Sequence, residues 1–160
     1  MPTKPEPLSI RLTRLSPTHH RFEAVRPDGR VEMRELETRT FLLHDLVHFA
    51  LESEAGLRNS FFGLLGNRGG YDDLGAPTEG EALATERVVG PLQNALKGQV
   101  EPETFARQLS AYFRDLGEIP PEWLNAAVIA GAVKRFNAMQ GRWKATRFGE
   151  TMELLFPPEL

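Results

Sequence analysis

His19-His20-Arg21-Phe22-Glu23-Ala24-Val25-Arg26-Pro27-Asp28-Gly29-Arg30-Val31-Glu32-Met33-Arg34-Glu35-Leu36 is the stretch on which the fold reading turns. Its first half alternates, with His20, Phe22 and Ala24 on one side and Arg21, Glu23 and Val25 on the other. A period of two is the signature of a strand with two unlike faces. Arg26-Pro27-Asp28-Gly29-Arg30 then reverses the chain, because proline presets φ and Asp-Gly supplies the tight bend. Val31 to Leu36 resumes in extended form, with Val31 and Met33 on one face. The stretch reads as a hairpin, with His19-His20 at an exposed turn and strand start.

Toward the N-terminus, Leu8 to Leu15 alternates Ile10 and Leu12 with Arg11 and Thr13, and Ser16-Pro17-Thr18 is a turn signal. Three short antiparallel strands therefore open the chain. Residues 1–7 are polar and proline-rich and read as a disordered tail. No apolar signal core follows them, so a cytoplasmic location is expected.

Toward the C-terminus the period changes. Thr38 or Thr40 can cap a helix from about Phe41 to Ser53 that ends at Gly56. Leu57 to Leu65 reads as a short helix or buried loop, and Gly66-Asn67-Arg68-Gly69-Gly70 as a flexible connection. Helical spacing returns from Thr78 to Leu96, with a kink or break expected at Gly90-Pro91. Pro102 opens a helix closed by Gly117, and Pro120-Pro121 opens the longest, from about Glu122 to Gln140. Trp143 to Phe156 reads as one or two closing strands bent at Gly149. The fold class is α+β. An antiparallel sheet from the N-terminal strands and a C-terminal strand packs against about four helices in a single domain spanning residues 1–160.

Composition narrows the function. The chain has no cysteine, which excludes thiolate metal sites, disulfides and cysteine nucleophiles. Its formal net charge of −3 argues against nucleic acid, and no apolar run is long enough for a membrane. Residues 41–90 hold three basic and eight acidic side chains, a neighbourhood that favours cations. The expected partner is a small molecule or protein of unknown identity, or a second copy of the chain.

One segment concentrates chemistry. On a helical wheel with His44 at zero, His48 falls near 40°, Glu52 near 80° and Asp45 near 100°. Leu42, Leu43, Leu46, Val47, Phe49, Ala50 and Leu51 fill the rest of the circumference. No Lys or Arg occurs from Phe41 to Leu57, unlike an ordinary solvent face. Three readings stand side by side. The wedge faces water; or Asp45 and Glu52 fix the tautomer of His48 in a hydrogen-bond network; or His44 and His48, four apart, hold a divalent metal, zinc first. In the last reading the metal set is His44, His48, Glu52 and a carboxylate from another segment. Glu86 is the first candidate for that carboxylate, with Asp72 and Asp73 as alternatives. Glu52 lies about 12 Å from His44 along the axis, too far to close one coordination sphere easily with both histidines, so its other role is that of an orienting carboxylate. Asp45 is the candidate catalytic base.

The spacing His44-Asp45-x-x-His48 is similar to the H-E-x-x-H signature of zinc-dependent hydrolases, with an aspartate one methylene shorter in the glutamate position. That resemblance implies two histidine ligands and a carboxylate that activates water. The adjacent His44-Asp45 also resembles HD-type phosphohydrolases, in which an upstream histidine and a distant aspartate complete the metal site. Leu43 to Glu52, followed by Gly56-Leu57 and Phe61-Phe62-Gly63, resembles a group of small bacterial proteins with a P-H-D-L-x-H-x-x-V-E stretch and a glycine–aromatic–glycine element. Leu43 stands where that pattern has proline. This resemblance implies that the stripe and the Phe61-Phe62-Gly63 element belong together. In a non-enzymatic alternative, the sheet and an exposed Phe61-Phe62 surface engage a protein partner and the wedge is structural.

Overall fold

The computed structural model describes residues 7–67, 70–74 and 77–158. The expected tail falls almost wholly outside them, as do Arg68 and Gly69 of the glycine-rich connection. Strands β1 (Leu8–Arg14), β2 (His19–Val25) and β3 (Val31–Glu37) lead into α1 (Thr38–Ala55) and α2 (Phe61–Asn67). A 3-10 turn (Tyr71–Leu74) precedes α3 (Gly80–Ala95), α4 (Pro102–Asp115), α5 (Ala126–Ala145) and β4 (Thr151–Phe156). The sheet is antiparallel throughout, in the order β3-β2-β1-β4, so the closing strand pairs with the opening one.

Alternation sorts the sheet into two faces. Leu8, Ile10 and Leu12 of β1, His20, Phe22 and Ala24 of β2, and Met152, Leu154 and Phe156 of β4 are all buried on the inner face. They meet α1, whose Leu46, Val47, Phe49, Ala50 and Leu51 are buried in turn. Helices α5 and α3 both pack against α1, and α4 packs on α5. A helix covered on several sides needs apolar residues around most of its circumference, which the sequence of α1 supplies. Each fully buried side chain of this size contributes roughly 1.5–3 kcal/mol.

Several boundaries differ from the sequence reading. Helix α3 runs through Gly90-Pro91 without a break. Pro91 removes one ladder hydrogen bond, but the buried Val88, Val89 and Leu92 anchor the turns on both sides of it. Helix α5 begins four residues later than Glu122, where the Asn125 side chain accepts from the Val128 N–H at 3.0 Å. It also continues past Gly141 to Ala145, so Trp143 is a buried helical residue and not part of a strand. Gly149, at φ 84, lies in the turn before β4, which is a single strand. His20 is fully buried instead of exposed. Its ring meets Trp143 edge-on with centroids 5.9 Å apart, and its Nδ1 lies 3.0 Å from Thr38 Oγ1. No helix among the described residues is long and apolar enough to cross a membrane.

Candidate metal centre

The polar wedge of α1 does not face water. Asp45, His48 and Glu52 are buried, and only His44 is half-exposed. The wedge is covered by α3 on one side and by the segment carrying α2 and Tyr71 on the other. That closes the first of the three readings.

Glu52 is fully buried and satisfied from two directions. Its Oε1 accepts from the Phe62 N–H at 2.9 Å, and the Gly63 N–H also bonds the carboxylate. These N–H groups belong to the first turn of α2, which has no intrahelical acceptor for them. Oε2 lies 2.9 Å from His48 Nδ1. The pairing joins the α1 stripe to the Phe61-Phe62-Gly63 element. Gly63 is needed there, since any Cβ would run into the Arg58 backbone carbonyl. Phe62 is buried in the core, and Phe61 packs between His48, Phe62 and Tyr71. An exposed Phe61-Phe62 surface is therefore not present.

With Glu52 fixed as acceptor, the proton of neutral His48 sits on Nδ1 and Nε2 is left facing α3. There Glu86 Oε1 lies 2.6 Å away. His44 repeats the arrangement one turn earlier. Its Nδ1 lies 3.3 Å from the Gln93 side-chain oxygen, and its Nε2 stands 4.0 Å from Glu86 Oε2. The two rings meet edge-on with centroids 4.7 Å apart. One ligand atom from each of His44, His48 and Glu86 falls within 4.8 Å of the others, so this group could hold a metal ion. Glu52 stands outside it, behind His48. Asp72 and Asp73 have side chains outside the described residues.

Asp45 leans the other way from the histidines. Its carboxylate accepts from the Tyr71 hydroxyl, 3.2 Å from Oδ2. Burial pushes the Asp45 carboxyl up to about 7, against the pull of His48 and the Tyr71 hydrogen bond. Burial draws the His48 imidazole down, but the carboxylates on its two nitrogens outweigh that and raise it to about 9. Burial, with the neighbouring charge of His48, lowers His44. Burial raises Glu52, against the hydrogen bond from His48. Glu86 is less enclosed. Burial lifts it, but the hydrogen bond from His48 and the charges of both histidines bring it below its ordinary value.

Two contributors were not singled out in the sequence. Gln93 is seven residues from Glu86 and so two turns along the same side of α3, a spacing that could have marked it. Tyr71 lies in a loop-like segment with no periodicity and carries no such signal. Comparison with family models, curated proteins and solved structures gives no match.

Proposed function

We propose that this chain binds a divalent metal ion, zinc first, through Nε2 of His44, Nε2 of His48 and the Glu86 carboxylate. The observation that carries this reading is the shared orientation of the two imidazoles. Each has an oxygen acceptor on Nδ1, Glu52 for one and Gln93 for the other, and each turns Nε2 toward the same carboxylate. Metal-binding histidines are held in this way, since an acceptor on the far nitrogen fixes the tautomer and raises ligand basicity. Two imidazoles and one carboxylate suit zinc and leave a fourth position for water. Separations of 2.6 and 4.0 Å to the two Glu86 oxygens require only a side-chain adjustment to admit an ion.

Asp45 is the candidate base of this reading, and it reaches that position only by turning its side chain away from Tyr71. It is buried next to the histidines and supported by the Tyr71 hydroxyl, and metal-assisted hydrolysis is the reaction class such a pairing serves. A second reading rests on the short contact between His48 and Glu86. A buried imidazolium with a carboxylate on each nitrogen is a complete ion network without any metal.

Elemental mass spectrometry of tag-free protein purified without chelators separates the two. Near-stoichiometric metal in the parent and none in His44→Ala/His48→Ala supports the metal site, with Asp45→Asn expected to retain the ion. No metal in either protein, after incubation with zinc, manganese and nickel, establishes the ion network instead.

A further inference from the structure

Glu86 belongs to two places at once. Its carboxylate faces both imidazoles, and the residue also lines a cleft of about 420 Å³ between α3 and α4, within the size range of small-molecule sites. Leu83, Arg87 and Pro91 of α3 and Leu109 and Tyr112 of α4 complete the wall. Access to the metal position runs through this junction. His48 is enclosed, whereas the side chains of His44 and Glu86 are 40% and 34% exposed, so an incoming molecule reaches the ion past those two.

The wall chooses what the cleft holds. Its charges are engaged already: Glu86 by the histidines, and Arg87 by Glu118, whose Oε1 accepts from Nη2 at 2.7 Å. A charged group placed there would have to break one of these pairs. The rest of the wall is apolar, and Tyr112 on it is 45% exposed. Pro91 has no N–H to give to Arg87 C=O, so this carbonyl lacks its ladder partner beside the cleft and is open to an N–H donor. Gly90 supplies the remaining space. At about 100° per residue it falls inside the arc that Leu83, Glu86, Arg87 and Pro91 span on α3. Neither a positive φ nor a close neighbour calls for glycine here, since a Cβ would meet nothing within 4 Å. A glycine inside a helix is otherwise unfavourable. Its effect is a strip of bare backbone between Glu86 and the Tyr112 wall, free for a ligand to cross.

We infer, resting on the metal site proposed above, that its substrate is an uncharged amide bearing an apolar group, with the amide carbonyl at the ion and the apolar group lying across Gly90 against Leu83, Leu109 and Tyr112. An amide N–H is the donor that Arg87 C=O lacks. Hydrolysis of such a molecule adds water across the C–N bond and yields a carboxylic acid and an amine, with no further reactant.

The test is isothermal titration of the zinc-loaded full chain with hydroxamates, which keep an N–H beside a carbonyl and bind zinc through their oxygens. Acetohydroxamate is compared with phenylpropanoyl hydroxamate and with the latter carrying a carboxylate on its ring. The phenyl compound is expected to bind about tenfold tighter than acetohydroxamate, and the ring carboxylate to cancel the gain. Gly90→Leu fills the strip with a better helix former and is expected to abolish the phenyl advantage, and Tyr112→Ala to reduce it. Zinc content of the same samples keeps two failures apart. A parent that takes up no zinc overturns the metal reading and the substrate class with it. A zinc-loaded parent that binds no hydroxamate, or binds the phenyl compound no tighter than acetohydroxamate, overturns the substrate class alone. So does a phenyl advantage that survives both variants, or one that the ring carboxylate leaves intact. Should Gly90→Leu lose zinc, Tyr112→Ala decides, since α4 carries no residue of the metal set.

Discussion

His48 Nδ1 and Glu52 Oε2 stand 2.9 Å apart with both residues buried, and this contact joins the α1 stripe to the start of α2. Glu52 serves a ring nitrogen with one oxygen and the α2 backbone with the other. Removing its charge therefore disturbs two elements at once. Glu52→Gln can keep the bond from the Phe62 N–H, but its amide group can no longer accept from His48 in the same pose. Stability is expected to fall by about 3 kcal/mol, the scale of breaking a buried charge pair, as read by urea denaturation. In the metal reading, affinity is expected to fall about 10–100-fold as well, as read by competition with a chelating dye.

Gly63 makes the same junction testable from the backbone side. A Cβ there meets the Arg58 carbonyl, which cannot move aside as a flexible side-chain end would. Gly63→Ala is expected to cost about 2–3 kcal/mol, at the upper end of overpacking penalties, in thermal or urea unfolding. Gly66→Ala has only the Leu8 side chain nearby, 3.8 Å away, and is expected to be close to neutral.

His20 gives the fold a pH dependence separate from the metal centre. Burial, with a smaller contribution from the charge of His19, lowers its imidazole from 6.5 to about 4. The folded state thus holds His20 neutral where the unfolded chain would protonate it. Its contribution is complete above about pH 6.5 and is lost as the pH falls toward 4, because the unfolded state binds the extra proton. The expected loss by pH 4 is about 3 kcal/mol. His20→Phe keeps an aromatic ring against Trp143 and removes the titration. Unfolding curves from pH 7 to pH 4 are expected to show a shallower decline for the variant than for the parent.

The N-terminal strands were legible because their signals are local, alternation over Ile10 and Leu12 and a Pro-Asp-Gly bend, whereas the place of β4 beside β1 follows from a pairing across the whole chain that no local signal carries. Boundaries that depended on tertiary packing were not legible either. Pro91 reads as a helix break until the buried residues on both sides of it are known, and Trp143 reads as strand because an aromatic residue fits either element. The site divides in the same way. His44, Asp45, His48 and Glu52 share one wedge of one helix, so their grouping follows from the 3.6-residue period alone. Glu86 could be ranked because it borders an apolar face pointing at the same core. The burial of His20 was missed because a histidine next to His19 and Arg21 looks polar, although the alternation of β2 already sets its ring on the same side as Phe22 and Ala24. Tyr71 reaches Asp45 across 26 residues of chain, a contact that no periodic pattern encodes.

The two histidines differ in burial, and so their removal should differ in kind. His48 is almost fully buried between two carboxylates, whereas the His44 side chain is 40% exposed and its contacts are longer. His48→Ala leaves Glu52 buried without its partner, at an expected cost of about 3–5 kcal/mol. His44→Ala leaves no buried charge behind and is expected to change stability by less than about 1 kcal/mol. If both rings hold one ion, each variant nevertheless loses it. Thermal unfolding with and without added zinc separates the two effects. Zinc at about 100 times its dissociation constant is expected to stabilise the parent by about 2.7 kcal/mol. It is expected to stabilise neither variant, although His44→Ala starts from nearly the parent's stability. Equal zinc stabilisation of the parent and His44→Ala would place the ion elsewhere and leave His48, Glu52 and Glu86 as a structural network.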